Sequence, residues 1–159
     1  MVVAEMKTIE KAIEVNAPVD VTYNQWTQFE EFPRFMEGVE KVRQLDDKHV
    51  HWVAEIAGKK QEWDAEITRQ IPDKEIDWVG FGDPENRGRI VFEPFDSQTR
   101  VVVMLEYEPE GTAERFGHAL GMTDRRVETD LMRFKEFIES RGRETGGWRG
   151  EIHGDEVRS

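Results

Sequence analysis

His49 and His51 stand two residues apart, so on a strand both imidazoles project from one face. If the next hairpin turns at Ala57 to Lys60, Glu66 falls roughly opposite His51, and two imidazoles with a carboxylate are zinc-ligand chemistry. The alternation of that hairpin puts this face outward and fixes no third strong ligand, so a solvated surface is the stronger reading and no metal is expected. Glu62, Asp64 and Glu66 place three carboxylates on the same face. Acid/base catalysis needs carboxyl groups converging in a dry site, whereas outward groups keep ordinary pKa values and read as solvated charge. His118, between Gly117 and Gly121, is a lone general-base candidate with no Ser or Cys beside it, and a surface histidine is the plainer reading. Arg87 and Arg89 flank Gly88 and are suited to an acidic ligand group, although ion pairs with the surplus carboxylates are favoured. Gly80, Gly82 and Gly88 form no phosphate loop, because no helix starts after them.

The elements that must position these groups follow from periodicity. Residues 8–15 alternate, with Ile9, Ile13 and Val15 on one face and Thr8, Glu10, Ala12 and Glu14 on the other, which predicts a half-buried strand. Lys11 falls on the apolar face, as a snorkelling strand-end residue or as a cation facing the interior. Pro18 suits a first helical turn, and Val19, Tyr23 and Trp26 recur at helical spacing. Thr27-Gln28-Phe29-Glu30 reads as a capping box that closes the first short helix and starts a second, which carries Phe29, Phe32, Phe35 and Met36 and ends at Gly38.

Strands are predicted at 39–45, 50–56 and 61–69, with Ala54 facing Trp63 and Trp52 facing Ala65, large against small. Ile76 and Trp78 continue the apolar face, residues 80–88 predict a mobile loop presenting Phe81, and Ile90 with Phe92 and then 99–107 complete the strands. After a break at Glu108 to Gly111, a short helical stretch is expected around Phe116 to Leu120. From Thr123 the spacing of Val127, Leu131, Phe134 and Ile138 predicts one long amphipathic helix. Residues 142–159 are Gly-rich and charged and predict a mobile tail after a domain of residues 1–141. Trp148 stands out there, as an indole folded back on the body or as a partner contact. One strand, two short helices, six strands and a long helix specify an α+β domain in which a curved sheet wraps a helix and encloses a cavity.

The composition excludes several functions. The chain has 22 Lys plus Arg against 34 Asp plus Glu, a net charge of −12, so nucleic acid and anionic membrane are unsuited partners. No cysteine is present, which removes disulfides, thiolate metal sites and a Cys nucleophile. No run approaches the ~20 apolar residues of a membrane helix, residues 1–8 lack a secretory signal's pattern, and a cytoplasmic location is expected. Five Trp and nine Phe in so polar a chain predict large aromatic contacts or an aromatic-lined pocket.

On Ile13-Glu14-Val15-Asn16-Ala17-Pro18, the segment Trp26 to Met36, the Trp52/Trp63 pair around Gly58, Gly88 before Ile90 and Phe92, and Asp130-Leu131 to Glu139, the chain resembles a known group. It is similar, from about Lys7 to Arg141, to the polyketide cyclase/dehydrase and lipid-transport group of the START-like (SRPBCC, birch-pollen-allergen-like) superfamily. That resemblance implies a helix-grip fold: a seven-stranded antiparallel sheet curved around the C-terminal helix, two short helices between strands 1 and 2, and a ligand between sheet and helix. His118 would then lie near the cavity mouth. Tyr23, Trp26, Phe32, Phe35, Trp52, Trp63, Trp78, Phe92, Tyr107, Leu131 and Phe134 are expected to line the interior.

The function expected is binding of a small hydrophobic molecule, polyketide, isoprenoid or lipid-like, oriented by polar groups such as Tyr23, Tyr107 and the Trp N–H groups, without a cofactor. The alternatives are an aromatase/cyclase or dehydratase working by confinement of a flexible chain, and a protein-interaction module or homo-oligomer using the acidic surface and Trp148.

Overall fold

The computed structural model describes residues 7–56, 59–81, 86–107 and 124–159. The elements are β1 Lys7–Val15, α1 Val19–Trp26, a 3₁₀ helix Phe29–Arg34, β2 Val39–Gln44, β3 His49–Ile56, β4 Lys59–Ile71, β5 Glu75–Phe81, β6 Asn86–Phe95, β7 Gln98–Tyr107, α2 Asp124–Arg141, β8 Glu151–His153 and β9 Glu156–Arg158. Seven strands run antiparallel in the order β1-β7-β6-β5-β4-β3-β2, and a small β8-β9 hairpin adds to β4. This curved sheet with its C-terminal helix is the helix-grip fold. Among the described residues no helix is long and apolar enough to cross a membrane. The short helical stretch expected around Phe116 to Leu120, with His118, lies outside the described residues.

Helix α2 presents the stripe its spacing demands: Val127, Leu131, Phe134 and Ile138 are all buried. Phe134 is wedged edge-on against Trp26, ring centroids 4.6 Å apart, and against Phe35 at 5.3 Å. Polar contacts fix the helix along β1. Lys135 Nζ donates to the Glu14 carbonyl at 3.0 Å, the Asn16 N–H donates to Glu139 at 2.8 Å, and Lys11 reaches Glu128 at 3.5 Å. Lys11 is therefore a half-buried partner of α2 at the strand's flank.

Three local expectations are corrected. In the β3-β4 hairpin Trp52 lies opposite Trp63, and Ala65 opposite Val50, two residues away from the predicted pairing. The strands continue to Ile56 and Lys59, leaving a tighter turn than expected, and the two indoles stack at 5.8 Å with planes 7° apart. Second, Thr27 closes α1 as expected, its hydroxyl donating to the Asn24 carbonyl at 2.6 Å, but it does not cap the 3₁₀ helix, which begins at Phe29 with Gln28 before it and no side-chain cap. Third, Gly80 and Gly88 belong to strands rather than to the 80–88 loop. Gly80 pairs with Asn86 and Gly88 with Trp78. A Cβ on Gly80 would meet the Asn86 amide at 2.6 Å, and one on Gly88 would collide with the Trp78 ring, so each glycine makes room for the larger residue across from it.

The composition of 142–159 predicts a mobile tail; the structure packs this segment against the body instead. Ile152 is fully buried in the core and Trp148 packs on it. The Gln25 amide, itself buried, accepts the Thr145 N–H at 2.8 Å and donates to the Thr145 hydroxyl at 3.1 Å, while the Trp148 N–H donates to Thr27 Oγ1 at 3.1 Å. Arg149 bonds Asn24 and Asp73 at 2.8 and 2.7 Å and lies over the Tyr23 ring. Average polarity misleads here, because a few specific contacts and the backbone of Gly146 and Gly147, lying close on Gln28 and Asn24, do the docking.

Candidate ligand-binding cavity

Strand alternation sends every second residue of β3 to β7 into the sheet's inner face, where α1 and α2 cover it. Between them is a cavity of about 160 Å³. Four indoles wall it: Trp26 from α1, Trp52 from β3, Trp63 from β4 and Trp78 from β5. Val103 and Leu105 of β7 and Val127 and Leu131 of α2 supply the aliphatic side. A smaller void of about 70 Å³ adjoins it, shares Trp26, Met36, Trp52, Ala65 and Trp78, and is bordered by Phe29 and Phe32.

Of the side chains predicted to line the interior, Trp26, Trp52, Trp63, Trp78 and Leu131 border the larger cavity, and Phe32 borders the smaller. Tyr23, Phe35, Phe92 and Phe134 are packed in the core behind those walls. Tyr23 is fully buried, meets Phe92 edge-on at 5.3 Å, and accepts the Gln70 amide at 3.0 Å. Burial pushes its phenol up to about 12, so it is a neutral structural group at physiological pH. Tyr107 ends β7, and its side chain lies outside the described residues.

Of the cavity's polar groups, Arg87 was among the residues expected to meet a ligand, whereas Asn86, Glu106 and Asp130 were not. Asn86, buried on β6, shares the inward parity of Ile90 and Phe92, but reading 80–88 as a loop hid it. Arg87 and Glu106 sit at the rim, paired at 2.6 Å. Asp130 stands three residues after Val127 and four before Phe134, so helical spacing alone puts it beside the buried stripe. Burial, the dominant cause, pushes its carboxyl up to about 6, against the pull of Arg126, Arg133 and the Glu37 backbone N–H.

The remaining candidates are surface groups with partners. His49 pairs with Asp46 at 2.9 Å and His51 with Asp64 at 2.6 Å, and Glu66 lies opposite His49 rather than His51. Arg89 bonds both oxygens of Asp77 at 2.9 to 3.1 Å.

Comparison with known proteins gives the chain a family. Residues 15–136 match the family model described as polyketide cyclase/dehydrase and lipid transport. An uncharacterized 17.2 kDa protein of Streptomyces lincolnensis is 46% identical over 149 residues, covering 92% of this chain and 99% of its own. The structure of DR_A0006 from Deinococcus radiodurans superposes with a TM-score of 0.67 at 28% identity, covering 86% of this chain and 99% of that one. The Zhui aromatase/cyclase of Streptomyces sp. R1128 superposes with a TM-score of 0.72 over 91% of this chain and 100% of its own, and at 18% identity it speaks to the fold alone. The chain belongs to the polyketide cyclase/dehydrase and lipid-transport family.

Proposed function

We propose that this protein binds a small hydrophobic molecule, polyketide, isoprenoid or lipid-like, in the cavity between the sheet and α2. The observation that carries the reading is an apolar void of about 160 Å³ bordered by four indoles in a chain of net charge −12. Apolar cavities of ~150 Å³ stay dry and accept a single aromatic ring, so one ring or a short branched chain suits the larger void without rearrangement. The smaller void extends the apolar path toward Phe32. Affinity in such a site comes from removing apolar surface from water, and the few polar groups at its edge orient the occupant.

An uncharged naphthylamine probe is expected to bind with one-to-one stoichiometry and to take up energy from the wall indoles, seen as quenched indole emission. Trp63→Ala removes half of the stacked pair and is expected to change probe affinity about tenfold, about 1.4 kcal/mol, whereas Glu66→Ala on the outer face leaves it unchanged. Absence of binding by several chemically different apolar probes at micromolar concentration, or equal effects of the two substitutions, would overturn the reading.

A further inference from the structure

Residues 143–149 follow helix α2, lie beyond the family match that ends at residue 136, and form neither helix nor strand. What holds them is the last turn of α1. Asn24 donates to Glu144 at 3.1 Å, the buried Gln25 amide gives both its ends to Thr145, and Thr27 Oγ1 accepts the Trp148 N–H. A Cβ on Gly146 would stand 2.7 Å from the Gln28 side chain, and one on Gly147 would stand 2.8 Å from that of Asn24.

In the midst of these anchors stands Trp26, whose indole goes the other way, into the interior. It borders both the larger and the smaller void and meets Phe134 edge-on at 4.6 Å and Phe32 at 5.6 Å. Helix α1 has eight residues, too few to be stable alone. Its last turn is closed by the Thr27 hydroxyl, and that hydroxyl is the one the Trp148 N–H engages. The indole is thus held from inside by other rings, and the backbone on either side of it is held from outside by the segment.

Resting on the cavity reading above, we propose that Gln25 is a positioning residue for the cavity wall: through Thr145 it ties segment 143–149 to the turn that carries Trp26, so that docking of the segment and occupancy of the cavity favour one another. A surface segment held by a few hydrogen bonds belongs to the parts of a protein that open locally without global unfolding. When it lifts, Gln25 and Thr27 lose these partners and the last turn of α1 gains freedom. The indole against which an occupant packs then loses its fixed place. Linkage makes the effect reciprocal: if the docked segment raises affinity by some factor, a bound molecule disfavours lifting by the same factor.

The test uses the uncharged naphthylamine probe on the full chain and reads its dissociation constant together with hydrogen exchange of the Trp148 amide. Gln25→Met nearly keeps the volume, removes both bonds to Thr145 and is expected to weaken probe binding about fivefold. Thr145→Val acts from the segment's side, at an exposed position, and is expected to weaken it about threefold, whereas Thr145→Ser keeps the hydroxyl and binds like the native protein. In the native protein, saturating probe is expected to slow exchange at Trp148 about fivefold. It leaves the Lys48 amide, held by Asp46 at 2.8 Å in the β2-β3 turn, unchanged. A purely structural tie lowers the melting temperature of the variants and moves neither affinity nor exchange. Native affinity in Thr145→Val and in a folded Gln25→Met, Trp148 exchange indifferent to the probe, or equal slowing at Lys48 overturns the assignment and leaves the cavity reading intact. If Gln25→Met does not fold, Thr145→Val and the native exchange rates decide. Failure of the probe to bind the native protein overturns the two together.

Discussion

Phe134→Ala is expected to lower the stability of the protein by about 3–5 kcal/mol, and its melting temperature by on the order of 10 °C. The ring is fully buried and touches Trp26, with centroids 4.6 Å apart, and Phe35, at 5.3 Å. Its removal therefore costs the transfer free energy of an aromatic side chain and leaves a void that neighbouring rings cannot fill without leaving their rotamers. Met132, two residues away on the same helix, is 46% exposed, and Met132→Ala is expected to move the midpoint by about a degree at most. Thermal unfolding of the pair reads the difference. A Phe134→Ala midpoint within two degrees of the parent would place the helix stripe outside the core.

Deleting residues 143–159 is expected to be comparably damaging. Ile152 is fully buried, and loss of such a side chain alone costs about 2–5 kcal/mol, to which the packing of Trp148 and the paired bonds between Gln25 and Thr145 add. A midpoint lower by on the order of 10 °C is the result expected by differential scanning fluorimetry. Arg143→Ala, which leaves the segment in place at an exposed position, serves as the control. If the truncated protein melts with the parent, the folded unit ends near Arg141 and the docking of the segment contributes nothing.

These two experiments separate what could be read from sequence from what could not. Phe134 belongs to a four-residue stripe, and a helical period is carried by residue type alone, so the stripe and the helix were legible before any coordinates. So were the alternating strands and the two short aromatic helices. Ile152 was not legible, because one buried isoleucine among glycines and charges has no period; its strand pairs with β4, distant in sequence. The indoles of β3, β4 and β5 were found as wall residues through inward parity, yet the Trp52/Trp63 register was misplaced. A register depends on turn length, and one longer turn moves every pair by two without changing which face a residue occupies. Tyr23, Phe35, Phe92 and Phe134 share aromatic character with the wall indoles, and only depth distinguishes a core ring from a wall ring. Asp130 was hidden differently: helical spacing did place it beside the stripe, but the diversion of Arg126 and Arg133 to Glu37 is a tertiary choice that no local pattern announces.

The pairing of β1 with β7 bears on when the cavity comes into being. Lys7 lies opposite Tyr107 and Val15 opposite Thr99, so the seam that closes the sheet joins strands from opposite ends of the sheet-forming chain. Along the path from β7 to β2 every other neighbour is also a neighbour in sequence and can form as a local hairpin, and only the small β8-β9 hairpin on β4 is also joined from afar. Closing the long β1-β7 loop is the step with the greatest entropic cost, and topologies dominated by such contacts fold over milliseconds to seconds. Val103 and Leu105, on the β7 side of the seam, and Leu131, on the helix that clamps β1, meet across the cavity only after closure. A bound molecule thus recognises the finished protein and not the state at the folding barrier. It is expected to leave the refolding rate where it was and to slow unfolding in proportion to its occupancy, measurable as a shift in one arm of the chevron. Under the proposed function such an occupant is expected to act as a latch: it would set how long the seam stays shut and have no part in how quickly it closes.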